Sequence, residues 1–205
     1  MALTMVAVIM IGCGNTAEKK VNRLVKQDMK TTIEFPKSYE PIETTIDSAY
    51  VPWNDPVWLD MLLETSDLNE DYIKYEKVMR HAQREMTRYQ NMCTSYDNTK
   101  YEEAKKNFDK CRMEVTRIET KVTVIAEKMK IMMEQQPKVI GFIITHHYHA
   151  ENKEGDVMID DKYYIINKEL TKIVASYSSD DMDKIHRAIN ELSEFEDFEF
   201  KENMI

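Results

Sequence analysis

Three histidines fall within four residues of the carboxy-terminal third, and their side chains are the first candidates for chemistry. The run reads His146, His147, Tyr148, His149. On a β-strand, side chains alternate between the two faces, which places His147 and His149 on one face and His146 on the other. Two imidazoles at this spacing are candidate metal ligands, since imidazole is a common ligand of zinc. A closed zinc site needs four ligands and no other Cys or His has a recognisable spacing, so the favoured interpretation is an exposed polar strand face without metal or cofactor.

Other kinds of catalysis find little support in the composition. The chain has only four glycines, which are too dispersed to build a glycine-rich phosphate loop. No serine stands in a nucleophile-elbow context. The formal net charge is -9, and no block of basic residues offers contacts to phosphate. These features predict a protein that is not an enzyme and does not bind nucleic acid.

Cys13 follows an uncharged apolar run, and its context indicates a lipid modification. Residues 1–12 are too few to span a bilayer but suit the apolar core of a secretion signal. Met10-Ile11-Gly12-Cys13 resembles a bacterial lipobox, which implies that Cys13 becomes the acylated first residue of the mature protein, with palmitate among its chains. Gly14 is not the Asp that retains many such proteins at the inner membrane, so we expect the periplasmic face of the outer membrane. The alternative is a cytoplasmic protein with an apolar first strand.

The residues after Cys13 predict an amphipathic helix over 17–32. Apolar residues fall along one side of this helix, and five basic residues fall elsewhere on it. Close to a lipid anchor these basic residues could contact anionic lipid. A solvated helix face is the commoner role for such a charge pattern.

A 3.5-residue repeat of apolar and aromatic residues runs from Tyr72 to Met132 and predicts two antiparallel coiled-coil arms. Thr99 and Glu102 are expected to cap the second arm, and facing residues are expected to have numbers that sum to 193 or 194. This register holds Cys93 and Cys111 apart, which predicts free thiols. Asp55 and Pro56 mark the start of a preceding helix that joins the first arm.

After Pro137 the apolar period changes to two, which predicts three strands over 139–150, 157–166 and 171–177, followed by a helix from about Asp180. A strand near Ile42 is expected to join their sheet at an edge. The fold class is therefore α+β: a small, mostly antiparallel sheet with packed helices and a long antiparallel coiled-coil hairpin. The predicted organisation is a signal peptide (1–12), a lipid anchor, helix and edge strand (13–55), a helical hairpin (56–136), and a sheet with a final helix (137–205) that forms one body with 17–55.

Two short stretches resemble a known group of proteins. One is Pro36-Lys37-Ser38-Tyr39-Glu40-Pro41, followed by Asp47-Ser48. The other comprises Gly141, His146, Tyr148, Ala150, Asn152 and Gly155, followed by a Tyr-rich strand. With the lipobox, they are similar to uncharacterised lipoproteins of Bacteroidota-type bacteria. The resemblance implies a lipid anchor and a carboxy-terminal antiparallel sheet, but no catalytic residue.

Together these features predict a lipid-anchored protein of the cell envelope that is not an enzyme. We expect a monomer that reaches the membrane through its lipid and uses the hairpin as a spacer or as a contact for another protein. The alternative is a module that binds a small ligand or a metal on the sheet face near His147 and His149.

Overall fold

The computed structural model describes residues 14–90 and 94–193, and it confirms the α+β class. Within these ranges, four helices and four strands follow one another. Their bounds are α1 (Gly14–Thr32), β1 (Glu40–Val51), α2 (Pro56–Tyr89), α3 (Ser95–Met133), β2 (Lys138–Glu151), β3 (Val157–Asn167), β4 (Ile173–Ser178) and α4 (Ser179–Ser193). Cys13, Cys93 and the acidic tail lie outside the described residues. No helix in the described ranges is both long and apolar enough to cross a bilayer.

The strands form one antiparallel sheet in the order β1-β2-β3-β4. The predicted strand near Ile42 is the edge strand β1, which pairs with β2. Ile46, Ile144 and Tyr164 stand side by side across β1, β2 and β3. Side chains on a strand alternate, so this register decides which residues share a face. Ile144, His146 and Tyr148 consequently lie on the same face of the sheet.

Helix α1 covers that face. Its apolar residues recur every four positions, and Val21, Val25 and Met29 are at most 1% exposed. They pack with Ile144, Tyr148, Tyr164, Ile166 and Leu170 in one apolar cluster. Burial of each such aliphatic side chain contributes roughly 1.5–3 kcal/mol, so this contact is the main attraction between the helix and the sheet.

The described residues divide into two compact units. One comprises residues 14–56 and 137–182, and the other comprises 57–90, 94–136 and 183–193. The first holds α1 and the sheet, and the second holds the long helices. The start of α2 at Pro56 and its continuity with the first arm of the hairpin are confirmed. The prediction grouped all of 183–193 with the sheet, whereas the described part of α4 from Asp183 belongs to the helical unit.

Contacts between α4 and α2 explain this assignment. Lys184 lies 2.6 Å from a carboxylate oxygen of Asp67, and Asn69 donates a hydrogen bond of 3.1 Å to Glu191. The apolar side of α4 is buried as well, with Ile185 only 1% exposed. The helix therefore packs in the helical unit along most of its length.

The predicted cap of the second arm is wrong. Helix α3 begins at Ser95, where Oγ1 of Thr94 accepts a hydrogen bond of 3.1 Å from the backbone nitrogen of Asp97, and the backbone nitrogen of Thr94 donates one to the carboxylate of Asp97. This reciprocal pair is a capping box. Thr99 instead lies within the helix and donates to the carbonyl oxygen of Ser95. Two Thr-x-x-acid sequences follow each other here, and the earlier one forms the cap.

The pairing of the two arms also differs from the predicted layers. Lys121 forms an ion pair with Glu64, whereas the predicted sums place Glu64 level with residues 129 and 130. The ion pair indicates that the numbers of facing residues add up to a value about one heptad lower than predicted. The apolar stripe itself is confirmed, because Ala82, Ala104 and Cys111 are all buried. Cys111 is a free thiol in this seam.

Candidate functional site

The sheet face beneath α1 is apolar at one end and polar at the other. The polar end holds a set of hydrogen-bonded side chains, here called the polar network. Its members are Asp28, Thr32, Tyr39, Thr44, His146, Tyr148, Asp160, Lys162, Tyr164 and Ser179. All of them belong to the unit that contains the sheet.

His146 is a deeply buried member of the polar network, with 2% of its surface exposed. Its Nε2 lies 2.8 Å from the hydroxyl of Tyr39, and its Nδ1 lies 2.8 Å from Oγ1 of Thr44. A neutral imidazole donates from one nitrogen and accepts at the other, and a hydroxyl group can take either role. Burial, followed by the charge of His147, lowers the pKa of His146. The ring is therefore neutral near pH 7, and it joins β1 and the segment before it to β2.

Tyr148 connects this histidine to β3. Its ring stacks on that of His146, with the centroids 5.9 Å apart and the planes 9° from parallel. Its hydroxyl donates to Oδ2 of Asp160 at 3.1 Å. The other oxygen of Asp160 accepts from the hydroxyl of Ser179 at 2.7 Å and from the backbone nitrogen of Asp161 at 2.8 Å. Burial first, then the charge of Asp160, raises the pKa of Tyr148, which stays a hydrogen-bond donor.

A second group of contacts fastens α1 to β3. Oδ2 of Asp28 lies 2.8 Å from Nζ of Lys162 and accepts a hydrogen bond of 3.2 Å from the hydroxyl of Tyr164. Lys162 also donates to Thr32 at 2.8 Å. The Lys162 and Asp28 side chains are only 16% and 22% exposed. Burial, followed by the Asp28 charge, raises the pKa of Tyr164. The ion pair is thus shielded from water, and it fixes α1 along the sheet.

A cleft of about 320 Å³ opens beside the polar network. It lies between the end of α1, the ends of β2 and β3 that meet at their connecting turn, and the end of β4. Its lining residues include Thr32, Ile33, Glu34, Tyr148, Ala150, Glu151, Met158, Asp160, Lys162 and Ser178. The cleft is small for a ligand site, since such sites commonly measure about 300–1,000 Å³. It combines an aromatic ring and alkyl groups with carboxylates.

The two predicted candidate metal ligands lie on the opposite face of the sheet. Nδ1 of His147 is hydrogen-bonded to Asp161, its neighbour on β3. His149 is half-buried and stands opposite Ile159, a residue that is 70% exposed. Within the described ranges, no three His, Cys, Asp or Glu side chains are grouped so that they could hold a metal ion. His147 and His149 are thus neighbours on one face, but the described residues add no third ligand.

The sequence correctly predicted that His146 lies on the sheet face opposite His147 and His149, but it did not reveal most of the polar network. Asp160, Lys162 and Tyr164 occupy alternate positions of β3 and stand opposite Tyr148, His146 and Ile144. Their spacing of two was a usable signal that they share a face. Asp28 could not be found in this way, because it belongs to a helix 134 residues away from Lys162 in sequence.

Comparison with known proteins adds no assignment: no family model, curated protein or solved structure matches the chain.

Proposed function

We propose that the protein is a lipid-anchored component of the cell envelope that acts by contacting another protein rather than by catalysis. In this proposal Cys13 carries the lipid, α1 lies next to the membrane and the helical hairpin provides the contact surface. The group it resembles, the uncharacterised lipoproteins of Bacteroidota-type bacteria, is consistent with this role.

The distribution of charge on α1 is the main support for the membrane location. Lys19, Lys20, Arg23, Lys26 and Lys30 are all exposed, although the whole chain has a net charge of -9. Of the two carboxylates of α1, Asp28 faces Lys162 and Tyr164. The outward side of the helix is thus basic immediately after the proposed lipidation site. A basic residue near an anionic bilayer adds about 1 kcal/mol of attraction, and a second signal of this kind complements a lipid chain.

The hairpin supports a role in protein contact. Its seam is satisfied within the chain, yet Met113, Val124 and Ile131 of α3 are 73%, 45% and 64% exposed. Their spacings of eleven and seven residues bring them to the same side of the helix, at 3.6 residues per turn. An apolar row on an outward helix side is a common feature of surfaces that bind a partner helix.

Metabolic labelling tests the anchor. Cells that express the full chain are supplied with radioactive palmitate, and the Cys13→Ser variant is the matched control. The proposal expects label in the wild-type band and none in the variant, together with loss of the variant from the membrane fraction. An unlabelled wild-type protein would refute lipidation at Cys13.

Site-specific photo-crosslinking tests the contact. A benzophenone amino acid is placed at Val124, and for comparison at Glu119, which is exposed on another side of the same helix. We expect one discrete adduct from position 124 that disappears when Met113→Asp and Ile131→Asp are added. Equal adducts from both positions would mean that the apolar row has no special role.

A further inference from the structure

One edge of the sheet is a long strand with a free side. Strand β1 has 12 residues, Glu40–Val51, and among the described strands it pairs with β2 alone. In such an edge strand, the N–H and C=O groups of about every second residue point away from the sheet. Strand β4, at the other edge, has only 6 residues and carries a register shift. The outer side of β1 is therefore the longer of the two edges to which another strand can add.

The middle of β1 is regular and accessible. Its two register shifts fall at the ends of the stretch 43–49, and pairing with β2 is continuous between them. Glu43, Thr45, Asp47 and Ser48 within this stretch are exposed. Bulges and prolines are common devices that stop a further strand from pairing with an edge, and neither interrupts 43–49. The backbone of this stretch is thus open to a partner strand.

Carboxylates on one face of β1 determine which charge the added strand should carry. Glu40, Glu43 and Asp47 stand opposite odd-numbered residues of β2, so they share the sheet face that α1 does not cover. The ion pairs of the described residues involve other carboxylates. Strand β1 contains no Lys or Arg. The face of the free edge is therefore negative.

A second copy of β1 does not suit this edge. Because the strand contains acidic residues and no basic ones, no register between two copies brings opposite charges together. Like charges that stand opposite each other destabilise a pair of strands, whereas opposite charges stabilise it. The charge of β1 therefore favours a basic strand that belongs to a different protein.

We propose that the outer edge of β1 binds an extended basic segment of another protein by strand addition. The backbone of the segment pairs with β1 over 43–49, and its Lys or Arg side chains lie next to Glu43 and Asp47. Side chains on facing strands stand about 5 Å apart, which is close enough for these charges to attract. The two carboxylates share one face, so the segment carries its basic residues at alternate positions. This proposal is independent of the lipid anchor and of the hairpin contact.

Fluorescence anisotropy of a labelled peptide with the full chain tests the proposal. The probe is a peptide of alternating Lys and Thr that is long enough to span 43–49. We expect binding that weakens as sodium chloride is added, because salt screens the carboxylates. A peptide with Glu in place of every Lys should not bind.

A pair of double variants tests the location. Glu43→Gln combined with Asp47→Asn keeps the size of both side chains but removes their charge, so affinity for the Lys peptide should fall by roughly fivefold. The matched control combines Glu102→Gln with Asp109→Asn, which removes the same two charges from exposed positions of α3. Its affinity should stay within about twofold of that of the wild-type chain.

Hydrogen exchange of the wild-type amides provides a readout that does not depend on the folding of a variant. The bound peptide should slow exchange at about every second amide over 43–49, where the N–H groups point outward, and leave the hairpin amides unchanged. Protection confined to the hairpin, equal weakening in both double variants, equally tight binding of the Glu peptide or absence of binding would each overturn the proposal. A dimer of the wild-type chain that protects the same amides without peptide would assign the edge to a second copy, and it would overturn the proposal as well.

Discussion

Replacement of His146 by alanine measures how much the polar network contributes to the fold. The ring is 2% exposed, and both of its nitrogens are hydrogen-bonded at 2.8 Å. Each of these bonds contributes about 1 kcal/mol net, and loss of a buried ring adds about 2 kcal/mol for lost packing and the cavity left behind. We therefore expect the free energy of unfolding to fall by about 4 kcal/mol. For a chain of this length, that change lowers Tm by roughly 10 °C, which circular dichroism measures directly.

His149→Ala is the matched control. It removes the same side chain from the same strand, but at a half-buried position on the other face. Its cost should be less than about 1 kcal/mol, as for most surface substitutions. If both variants melt at the same temperature, the hydrogen bonds of His146 do not contribute in the way that its burial implies.

The same residue predicts a pH dependence with a definite sign. Burial first, and then the charge of His147, lowers the pKa of His146 in the folded protein, whereas the unfolded chain keeps a value of about 6.5. Between these two pKa values the unfolded chain binds more protons, so stability rises with pH. The contribution of His146 should be complete above about pH 6.5 and decline below it, with a slope of at most about 1.4 kcal/mol per pH unit. His146→Ala should lose this part of the slope, and an unchanged slope would refute the neutral buried state.

Three further predictions concern the backbone and the helix contacts. A Cβ at Gly141 would lie 2.0 Å from a backbone oxygen of β3, so Gly141→Ala should lower the free energy of unfolding by more than about 3 kcal/mol. At Gly155 a Cβ would meet no atom within 4 Å, but the φ of +85° disfavours alanine, so Gly155→Ala should lower it by about 1 kcal/mol. Urea unfolding measures both changes. Thr94→Ala should lower stability by about 1 kcal/mol and Thr99→Ala by less, since only Thr94 caps α3. Asp28→Asn should cost about 2 kcal/mol at pH 7, because it leaves a shielded ammonium group without its counter-charge, and hydrogen exchange in α1 should increase accordingly.

The sheet was predictable because apolar residues alternate regularly along its strands. Alternation over 139–150 and 157–166 gave two strands whose bounds agree with β2 and β3 to within one residue. The edge strand near Ile42 followed from β-forming residues between prolines, which is a pattern that suits a sheet edge. A period of two also fixes which residues share a face. The placement of His146 on the face opposite His147 and His149 therefore needed no tertiary information.

The hairpin register was not predictable from its apolar stripe. A shift of seven residues moves every stripe position onto another stripe position, so the apolar pattern fits both pairings equally. The start of α3 decides between them, and there the sequence offers two Thr-x-x-acid signals, at Thr94 and at Thr99. The buried Asp97 cap, with a residue exposure of 9%, selects the earlier start, and the ion pair between Glu64 and Lys121 agrees with the lower pairing.

The polar network depends on contacts that no local pattern specifies. Tyr39 and Thr44 meet His146 across more than 100 residues, and Asp28 meets Lys162 across 134. In the sequence, each of these residues has the pattern of an ordinary surface residue of its own segment. Only the packing of α1 onto the sheet brings them together, and burial then gives each polar atom a partner, as it must in a stable interior.

The network also limits how α1 can pack. Its apolar residues would fit the Ile and Tyr side chains of the sheet after a shift of one helical turn, since Val21, Val25 and Met29 recur every four positions. Such a shift would move Asp28 about 6 Å along the sheet, at 1.5 Å per residue, away from Lys162 and Tyr164. It would leave a largely buried ammonium group unpaired, at a cost of several kcal/mol. The apolar cluster therefore holds the helix against the sheet, while Asp28 and Lys162 select one position along it and so fix the end of α1 at the cleft.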